Sequence, residues 1–255
     1  MNMKVSILGV AIDAVTANEV GERVAGFLQK PKLHTIVTPN PEFLVEAQTN
    51  ESFRSFLNAA DLAIPDGIGL RIAAWILGVP LHTRITGVET VDAIAGVAAR
   101  EGRSIFLLGG GEGIARRAAD TLQKKYAGLK IVGADSGGRV ALRNDKCRMQ
   151  NEDVLEKIKN AHPDVLLVAL GHVKQEFWIR DHLHLFPSVK IAVGVGGTFD
   201  YLAGAVPVPP RLIRSIGLEW CWRLITQPWR ARRIFTATIY FMYLVLKERL
   251  LSFRA

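Results

Sequence analysis

The stretch Leu62-Ala-Ile-Pro-Asp66-Gly-Ile-Gly69 sets the pattern from which the fold of the chain can be predicted. An apolar run ends at a proline, and a carboxylate and two glycines precede the segment 70–77, which has a helical pattern. This order is typical of an open α/β sheet, in which such a carboxylate lies at the carboxyl end of a strand. Asp66 is therefore expected either to cap the next helix or to face a ligand cleft, and the local pattern alone favours the cap.

Short apolar segments and helical segments alternate along the rest of the chain. Strands are predicted at 3–12, 34–37, 62–64, 104–108, 130–132, 165–170 and 190–193. Residues 139–150 are polar and are predicted to form a loop. The alternation predicts an α/β fold with a mostly parallel, Rossmann-like sheet and helices on both of its faces.

The bulk composition is that of a folded protein without a disulfide framework. The chain has 255 residues, of which 49% are hydrophobic, and this allows one large domain with or without an appendage. Cys147 and Cys221 have no pair-like spacing, which argues against disulfides and against a structural zinc site. The N-terminal residues lack the apolar core of a signal peptide, so a cytoplasmic location is expected.

The C-terminal segment differs from the rest of the chain in composition and charge. The proline-rich stretch 205–210 is predicted to link an α/β domain, residues 1–204, to a helical appendage, residues 205–255. Residues 211–255 hold nine Lys or Arg and two Glu, whereas the first 210 residues hold 23 basic and 22 acidic side chains. A basic tail of this kind is expected to bind phosphate at a membrane surface, on an anionic ligand or on nucleic acid.

The same tail is rich in apolar and aromatic residues. Residues 234–246 form an uncharged run that would make a helix of about 20 Å, too short for a hydrocarbon core of ~30 Å. Basic residues flank the run, and Trp220, Trp222 and Trp229 lie nearby. This combination predicts a helix that lies on a membrane. The alternative is a terminal helix pair that packs on the core or between the subunits of a homo-oligomer.

Polar or glycine-rich loops follow five of the predicted strands. They are Thr38 with Asn40, Asp66, Gly109–Gly113, Gly171–Gln175 and Gly194–Gly197. The carboxyl ends of parallel strands meet at one edge of the sheet, where ligands bind. The convergence favours a cleft role for Asp66 over the cap, and it makes Gly196 and Gly197 candidates for substrate binding.

The glycine run Gly109-Gly110-Gly111-Glu-Gly113 resembles a phosphate-binding loop between a strand and a helix. Asp135 lies about twenty residues further on, at the position where ribose hydroxyls are often bound. The dinucleotide fingerprint fails in both registers, because Ile114 or Arg116 occupies the position of its last glycine. A phosphate loop and a plain tight turn therefore both remain open, and no P-loop sequence is present.

The remaining candidates are uncharged hydrogen-bonding residues and one arginine, each of which, taken alone, is more often structural than functional. Thr38, Asn40 and Gln175 carry neutral hydrogen-bonding groups that suit sugar hydroxyls and an acetamido group, and Arg84 suits a diphosphate. No cluster with metal-ligand spacing and no nucleophile motif stands out. Metal-independent chemistry with one carboxylate as the general base is the expectation.

A series of motifs resembles one family over essentially the whole chain. The motifs are Thr38-Pro-Asn-Pro-Glu, Ile64-Pro-Asp-Gly, Arg84-Ile-Thr-Gly, Phe106-Leu-Leu-Gly-Gly, Lys174-Gln-Glu176, Gly194-Val-Gly-Gly-Thr-Phe-Asp200 and Gly217-Leu-Glu-Trp. The chain resembles the WecG/TagA/CpsF glycosyltransferases, glycosyltransferase family 26. It departs from the family pattern at Val173, where proline is usual.

The resemblance implies an inverting, metal-independent glycosyltransferase that needs no cofactor. The donor would be a UDP-sugar carrying N-acetylmannosamine, its uronate or a related hexose. The acceptor would be a polyprenyl-diphosphate-linked sugar at the cytoplasmic face of the membrane, in cell-wall or exopolysaccharide synthesis. By the same resemblance Asp66 would be the base, and the sugar and diphosphate contacts would be those already assigned. Arg214, Arg223 and Arg230 would bind the lipid diphosphate and the leaving UDP.

Two other classes of function stay open from the residues alone. The glycine run and Asp135 would suit an oxidoreductase with a nucleotide cofactor, although the broken fingerprint weighs against it. The basic tail would suit a non-catalytic protein that binds a membrane surface. Nucleic acid is not an expected partner, since the globular part carries almost no net charge.

Overall fold

In the computed structural model, the described part of the chain comprises residues 3–81, 83–143, 145–149, 151, 153–208, 210, 213, 219–226, 228 and 231–252. The strands are β1 (Lys4–Ile7), β2 (Val10–Asp13), β3 (His34–Val37), β4 (Leu62–Ala63), β5 (Ser104–Gly109), β6 (Lys130–Asp135), β7 (Val140–Arg143), β8 (Lys146–Met149), β9 (Val165–Ala169) and β10 (Ile191–Gly194). The first nine helices are α1 (Ala17–Leu28), α2 (Pro41–Glu46), α3 (Glu51–Ala59), α4 (Ile68–Leu77), α5 (Gly87–Arg100), α6 (Ile114–Lys125), α7 (Asp153–Ala161), α8 (Lys174–His182) and α9 (Thr198–Leu202). In the C-terminal region, the described helices are α10 (Glu219–Thr226), α11 (Ala231–Phe235), a π-helical turn (Thr236–Tyr240) and α12 (Phe241–Ser252).

Six parallel strands form the central sheet, in the order β4-β3-β10-β9-β5-β6. The predicted α/β class with a parallel sheet is confirmed. Strand β9, one of the two central strands, is buried along its whole length. Val165 and Leu167 pack into the core on one face of the sheet, and Leu166 and Val168 pack into the core on the other. A strand covered on both faces reads as a continuous apolar run, which is why the sequence revealed it.

The direction of each crossover decides which face its helix covers. Helix α6 connects β5 to β6 toward one edge and shares a core with α1, α5 and α9. Helix α8 connects β9 to β10 in the opposite direction and shares the other core with α2, α3, α4 and α7. Because the connections leave β5 and β9 in opposite directions, the topological switch point lies between their carboxyl ends, which is the position where open α/β sheets bind ligands.

Two hairpins were not predicted. Residues 3–12 do not form one strand, because Leu8 and Gly9 adopt φ values of 51° and 75° and turn the chain into the antiparallel pair β1 and β2. The predicted loop over 139–150 is wrong for β7 and β8, which also pair antiparallel. Strand β8 alternates in burial, with Cys147 and Met149 buried and Lys146 and Arg148 exposed, so the hairpin gains stability by covering the core.

The C-terminal helix α12 has two apolar sides. Phe241 and Val245 are fully buried in the core that contains α2 and α4. Tyr243, Leu246 and Leu250 on its other side are exposed, as is Ile239 in the preceding π-helical turn, all spaced at helical intervals. No helix within the described residues is long and apolar enough to cross a membrane. The predicted boundary between 204 and 205 and the predicted membrane contact of this tail stay predictions.

Candidate active site

Asp66 lies where the carboxyl ends of β3 and β4 meet. Its backbone N–H donates to the carbonyl of Pro39 at 2.8 Å, and the N–H of Ile85 donates to the carbonyl of Pro65 at 2.9 Å. These bonds fix the backbone on both sides of a half-buried carboxylate. The N-cap of α4 is Gly67, with φ of 92°, so Asp66 is not the residue that caps this helix.

Thr38 and Asn40 follow β3 and are both engaged by the surrounding backbone. The Thr38 hydroxyl is buried and donates to the carbonyl of Gly194 at 3.1 Å, which ties the end of β3 to the end of β10. The Asn40 side-chain oxygen accepts from the N–H of Phe43 at 3.2 Å and caps α2. Both residues lie at the predicted edge of the sheet, and their contact with a substrate stays a prediction.

Gln175 is buried beneath the loop that follows β10. Its side-chain oxygen accepts from the N–H of Gly196 at 2.9 Å, and its side-chain nitrogen donates to the Glu176 carboxylate at 2.7 Å. Gly194 makes room for this pair, because a Cβ there would lie 2.5 Å from the Gln175 nitrogen. Gln175 therefore supports the glycine loop directly, and the predicted sugar contact stays a prediction.

Glu176 is a fully buried carboxyl group that no sequence argument singled out. Burial raises the pKa of this carboxyl to about 7, although hydrogen bonds from Gln175 and from backbone N–H groups oppose the shift. The charged and neutral forms are therefore both accessible near neutral pH. The Lys174-Gln-Glu176 motif was a signal for this site, but it did not distinguish a buried acid from an exposed one.

The loop before α8 has an unusual backbone at Val173. Its φ of 68° is rare for a β-branched residue and lies outside the range that a proline ring allows. The side chain is buried in the core beside α8, and the Val173 carbonyl accepts the N–H of Phe177.

The glycine run after β5 approaches the end of β9 closely. Gly109 and Gly110 have φ values of 114° and 77°, and a Cβ on Gly109 would lie 2.5 Å from the carbonyl of Ala169. Gly111 is exposed, and α6 begins after Gly113 without a side-chain cap. Free N–H groups at a helix N-terminus suit a phosphate, but the run is also required by strand packing. Phosphate binding by these glycines stays a prediction.

Asp135 is at the carboxyl end of β6, which is the outermost strand on the far side of the sheet from β4 and Asp66. Five strand spacings of about 4.8 Å put β6 roughly 24 Å from β4. The Asp135 carboxylate binds Lys157 at 2.6 Å and accepts from the N–H of Gly137 at 2.8 Å. The first bond ties the end of β6 to α7, and the second stabilises the turn after β6. The strand order therefore separates Asp135 from the group around Asp66.

The structure describes the surroundings of only some of the predicted arginines. Arg84 precedes Ile85, whose backbone bonds to the strand end that carries Asp66. Arg214 and Arg230 lie outside the described residues, and Arg223 belongs to α10 with a side chain that is not described. None of the predicted tail arginines is therefore tested.

A different tail arginine, Arg233, lies at this edge of the sheet. Its guanidinium donates to the Glu42 carboxylate at 2.5 and 3.2 Å and to the Nδ1 atom of His172 at 3.1 Å. Glu42 belongs to the first turn of α2, which Asn40 caps, and His172 to the loop after β9. The tail therefore brings a cation to this edge of the sheet, at a residue that the sequence could not distinguish from its basic neighbours.

No group of three or more His, Cys, Asp or Glu side chains that could hold a metal ion occurs among the described residues. Metal independence of the reaction stays a prediction. Hydrogen bonds link the neighbouring strand ends around Asp66. Thr38 bonds to the end of β10, and Gln175 bonds to Gly196 in the loop after β10. Ile85, the residue after Arg84, bonds to Pro65 next to Asp66. The fold and this edge define a doubly wound α/β protein with its candidate site at the carboxyl ends of the strands.

Comparison with known proteins gives the family. The model of the glycosyl transferase WecG/TagA/CpsF family matches residues 5–255, and the chain belongs to this family of glycosyltransferases. A relative from Bacillus spizizenii is 31% identical over 93% of this chain and 89% of its own length. One from Staphylococcus aureus is 32% identical over 96% and 93%. Both bear the name N-acetylglucosaminyldiphosphoundecaprenol N-acetyl-beta-D-mannosaminyltransferase.

Proposed function

We propose that the protein transfers N-acetylmannosamine from a UDP-linked donor to N-acetylglucosaminyl-diphosphoundecaprenol in cell-wall polymer synthesis. The sugar and the acceptor follow from the names of the relatives, which align over almost their whole length. The observation that carries the proposal is Asp66, a half-buried acidic residue at a strand end whose backbone is fixed on both sides by hydrogen bonds. A carboxylate held in this way is suited to take a proton from a hydroxyl group.

In the proposed reaction Asp66 is the general base. The acceptor hydroxyl gives its proton to the Asp66 carboxylate while its oxygen forms a bond to the anomeric carbon of the donor sugar. The bond from that carbon to the diphosphate breaks on the opposite face, and UDP leaves with the electron pair. One displacement inverts the anomeric configuration, so no covalent intermediate is required.

The other residues have binding roles in this proposal. Arg84 is expected to neutralise the diphosphate of the donor or the acceptor, since a guanidinium binds phosphate oxygens in a bidentate manner. Gly109–Gly111 and the Gly196 and Gly197 backbone are expected to approach the phosphates and the donor sugar. Arg214, Arg223 and Arg230 are proposed to add further positive charge from the tail.

The acceptor lipid implies work at a membrane surface, and we propose that the C-terminal helices bind the inner face of the cell membrane. The exposed residues Ile239, Tyr243, Leu246 and Leu250 support this, together with the basic tail. A helix with an apolar side and basic neighbours binds anionic membranes peripherally.

The test is a transfer assay with the purified full chain and a lipid-linked N-acetylglucosaminyl diphosphate. UDP-N-acetylmannosamine, UDP-N-acetylglucosamine and UDP-glucose are compared as donors, with and without a metal chelator. The expected result is one disaccharide product of inverted configuration with the first donor. NADH binding without any sugar transfer would overturn the proposal and favour an oxidoreductase.

A further inference from the structure

Helix α4 carries an exposed apolar face that the proposed site does not use. Ile72 and Trp75 lie one turn apart on the solvent side, and the Trp75 side chain is 82% exposed. Ile68 lies one turn earlier and is half-buried. The opposite side of the same helix, with Leu70 and Ala73, is buried in the core beside α12. The outer face is therefore a separate surface of the helix.

A groove of about 550 Å³ runs between this face and the segment after the helix. It is lined on one side by Ile72, Trp75 and Arg71, and on the other by residues 79–81 (Val, Pro and Leu). Tryptophan is usually well buried, and an exposed apolar patch of this kind marks a binding surface. The groove needs an occupant that is apolar along most of its length.

The position of the groove relative to Asp66 selects the occupant. Helix α4 begins at Ile68, two residues after Asp66, and Trp75 lies about 10 Å further along the axis at ~1.5 Å per residue. Arg71 supplies a positive charge on the same face. A lipid with its diphosphate near Asp66 would meet this cation first and the apolar surface next, which matches an isoprenoid diphosphate.

We propose that the outer face of α4 and residues 79–81 bind the first isoprene units of the acceptor lipid. This inference rests on the proposed function, because it requires a polyprenyl-diphosphate acceptor. The groove holds the lipid chain next to the enzyme and directs its sugar toward Asp66. Ile72 and Trp75 then determine how well the protein distinguishes a long lipid chain from a short one.

The test compares two acceptors that carry the same sugar diphosphate, one with an undecaprenyl chain and one with only an ethyl group. The variant combines Ile72→Ser with Trp75→Ser in the full chain. We expect its kcat/KM to fall about tenfold to hundredfold with the undecaprenyl acceptor and to stay unchanged with the ethyl acceptor. Leu185→Ser, which removes an exposed leucine elsewhere, is the matched control and should alter neither value.

The outcomes separate this inference from the proposed function. A wild-type protein that glycosylates neither acceptor overturns the proposed function. A wild-type protein that is active, with a variant impaired equally on both acceptors or on neither, overturns only the lipid groove. The lipid groove is also overturned if the variant no longer sediments with phosphatidylglycerol vesicles that contain no acceptor, since the face would then be a bilayer anchor. Loss of a wild-type dimer in the variant would overturn it as well.

Discussion

Asp66 is the residue on which the proposed chemistry depends most. Asp66→Asn keeps the size of the side chain but removes the proton acceptor, so the transfer rate should fall by about 10²- to 10⁴-fold. The KM for the donor should change little, because a base acts mainly on the chemical step. Steady-state transfer kinetics measure both, and an unchanged circular dichroism spectrum shows that the fold is retained. A variant with nearly full activity would rule out Asp66 as the base.

The buried carboxyl group of Glu176 leads to a prediction about the stability of the fold rather than about the transfer reaction. The pKa of this carboxyl is about 7 in the folded protein, above the ordinary value of 4.5. The unfolded chain therefore releases its proton first as the pH rises, and the free energy of unfolding falls between pH 4.5 and 7. Glu176→Gln removes this penalty and keeps an oxygen that can accept from Gln175.

The Glu176→Gln variant should therefore gain stability over the wild type mainly at alkaline pH. Relative to the difference at pH 5, the gain at pH 8 should be larger by about 2 to 3 kcal/mol. Urea unfolding at both pH values provides the measurement. Equal differences at the two pH values would show that the buried carboxyl does not titrate in this range.

At the residue scale, the sequence could predict a location but not a partner. The strand-end pattern correctly placed Thr38, Asn40 and Asp66 at one edge. It could not predict that Gln175 is buried, because this depends on α8 packing under β10 and on the space left by Gly194. The sequence could not predict the contact of Arg233 with Glu42 either, because it joins residues 191 positions apart.

At the element scale, apolar pattern predicted the central strands but not the hairpins. Strand β9 is buried on both faces, so its sequence is apolar throughout. Strands β7 and β8 have four residues each, with half of their side chains in solvent. So short an alternation is too weak to distinguish from a polar loop. Their pairing is stabilised by the core beneath them, which local sequence does not reveal.

The terminal helix α12 should contribute to stability through one side only. Phe241 is fully buried and lies close to Gly69, because a Cβ added to this glycine would be 3.7 Å from the phenylalanine ring. Phe241→Ala should lower the free energy of unfolding by about 3 to 5 kcal/mol, because it leaves a cavity. Leu250→Ser, on the exposed side of the same helix, should change it by no more than ~0.5 kcal/mol.

Chemical denaturation of these two variants tests the placement of the helix. Similar losses of stability in both would mean that α12 does not dock by the side that carries Phe241. The comparison also bears on truncation experiments, because deleting the tail would remove core residues together with the proposed membrane contact. Point substitutions on the exposed side are therefore the cleaner way to study binding.

At the scale of the whole molecule, charge is concentrated at one end of the chain. The net charge is +8, and residues 211–255 contribute +7 of it. Binding to phosphatidylglycerol vesicles should therefore be strong at low salt and much weaker near 1 M salt, where the Debye length is ~3 Å. Neutral phosphatidylcholine vesicles should bind weakly at all salt concentrations. Vesicle sedimentation measures each case.

A matched pair of variants locates this charge effect. Combining Arg232→Glu with Lys247→Glu reverses two exposed charges in the tail, and combining Lys130→Glu with Arg143→Glu makes the same change in the sheet domain. Each Lys or Arg that lies near an anionic membrane surface contributes about 1 kcal/mol to binding. The tail variant should therefore lose most of its vesicle binding, while the sheet variant should keep it. Equal losses in the two would mean that net charge, rather than the tail, brings the enzyme to its lipid substrate.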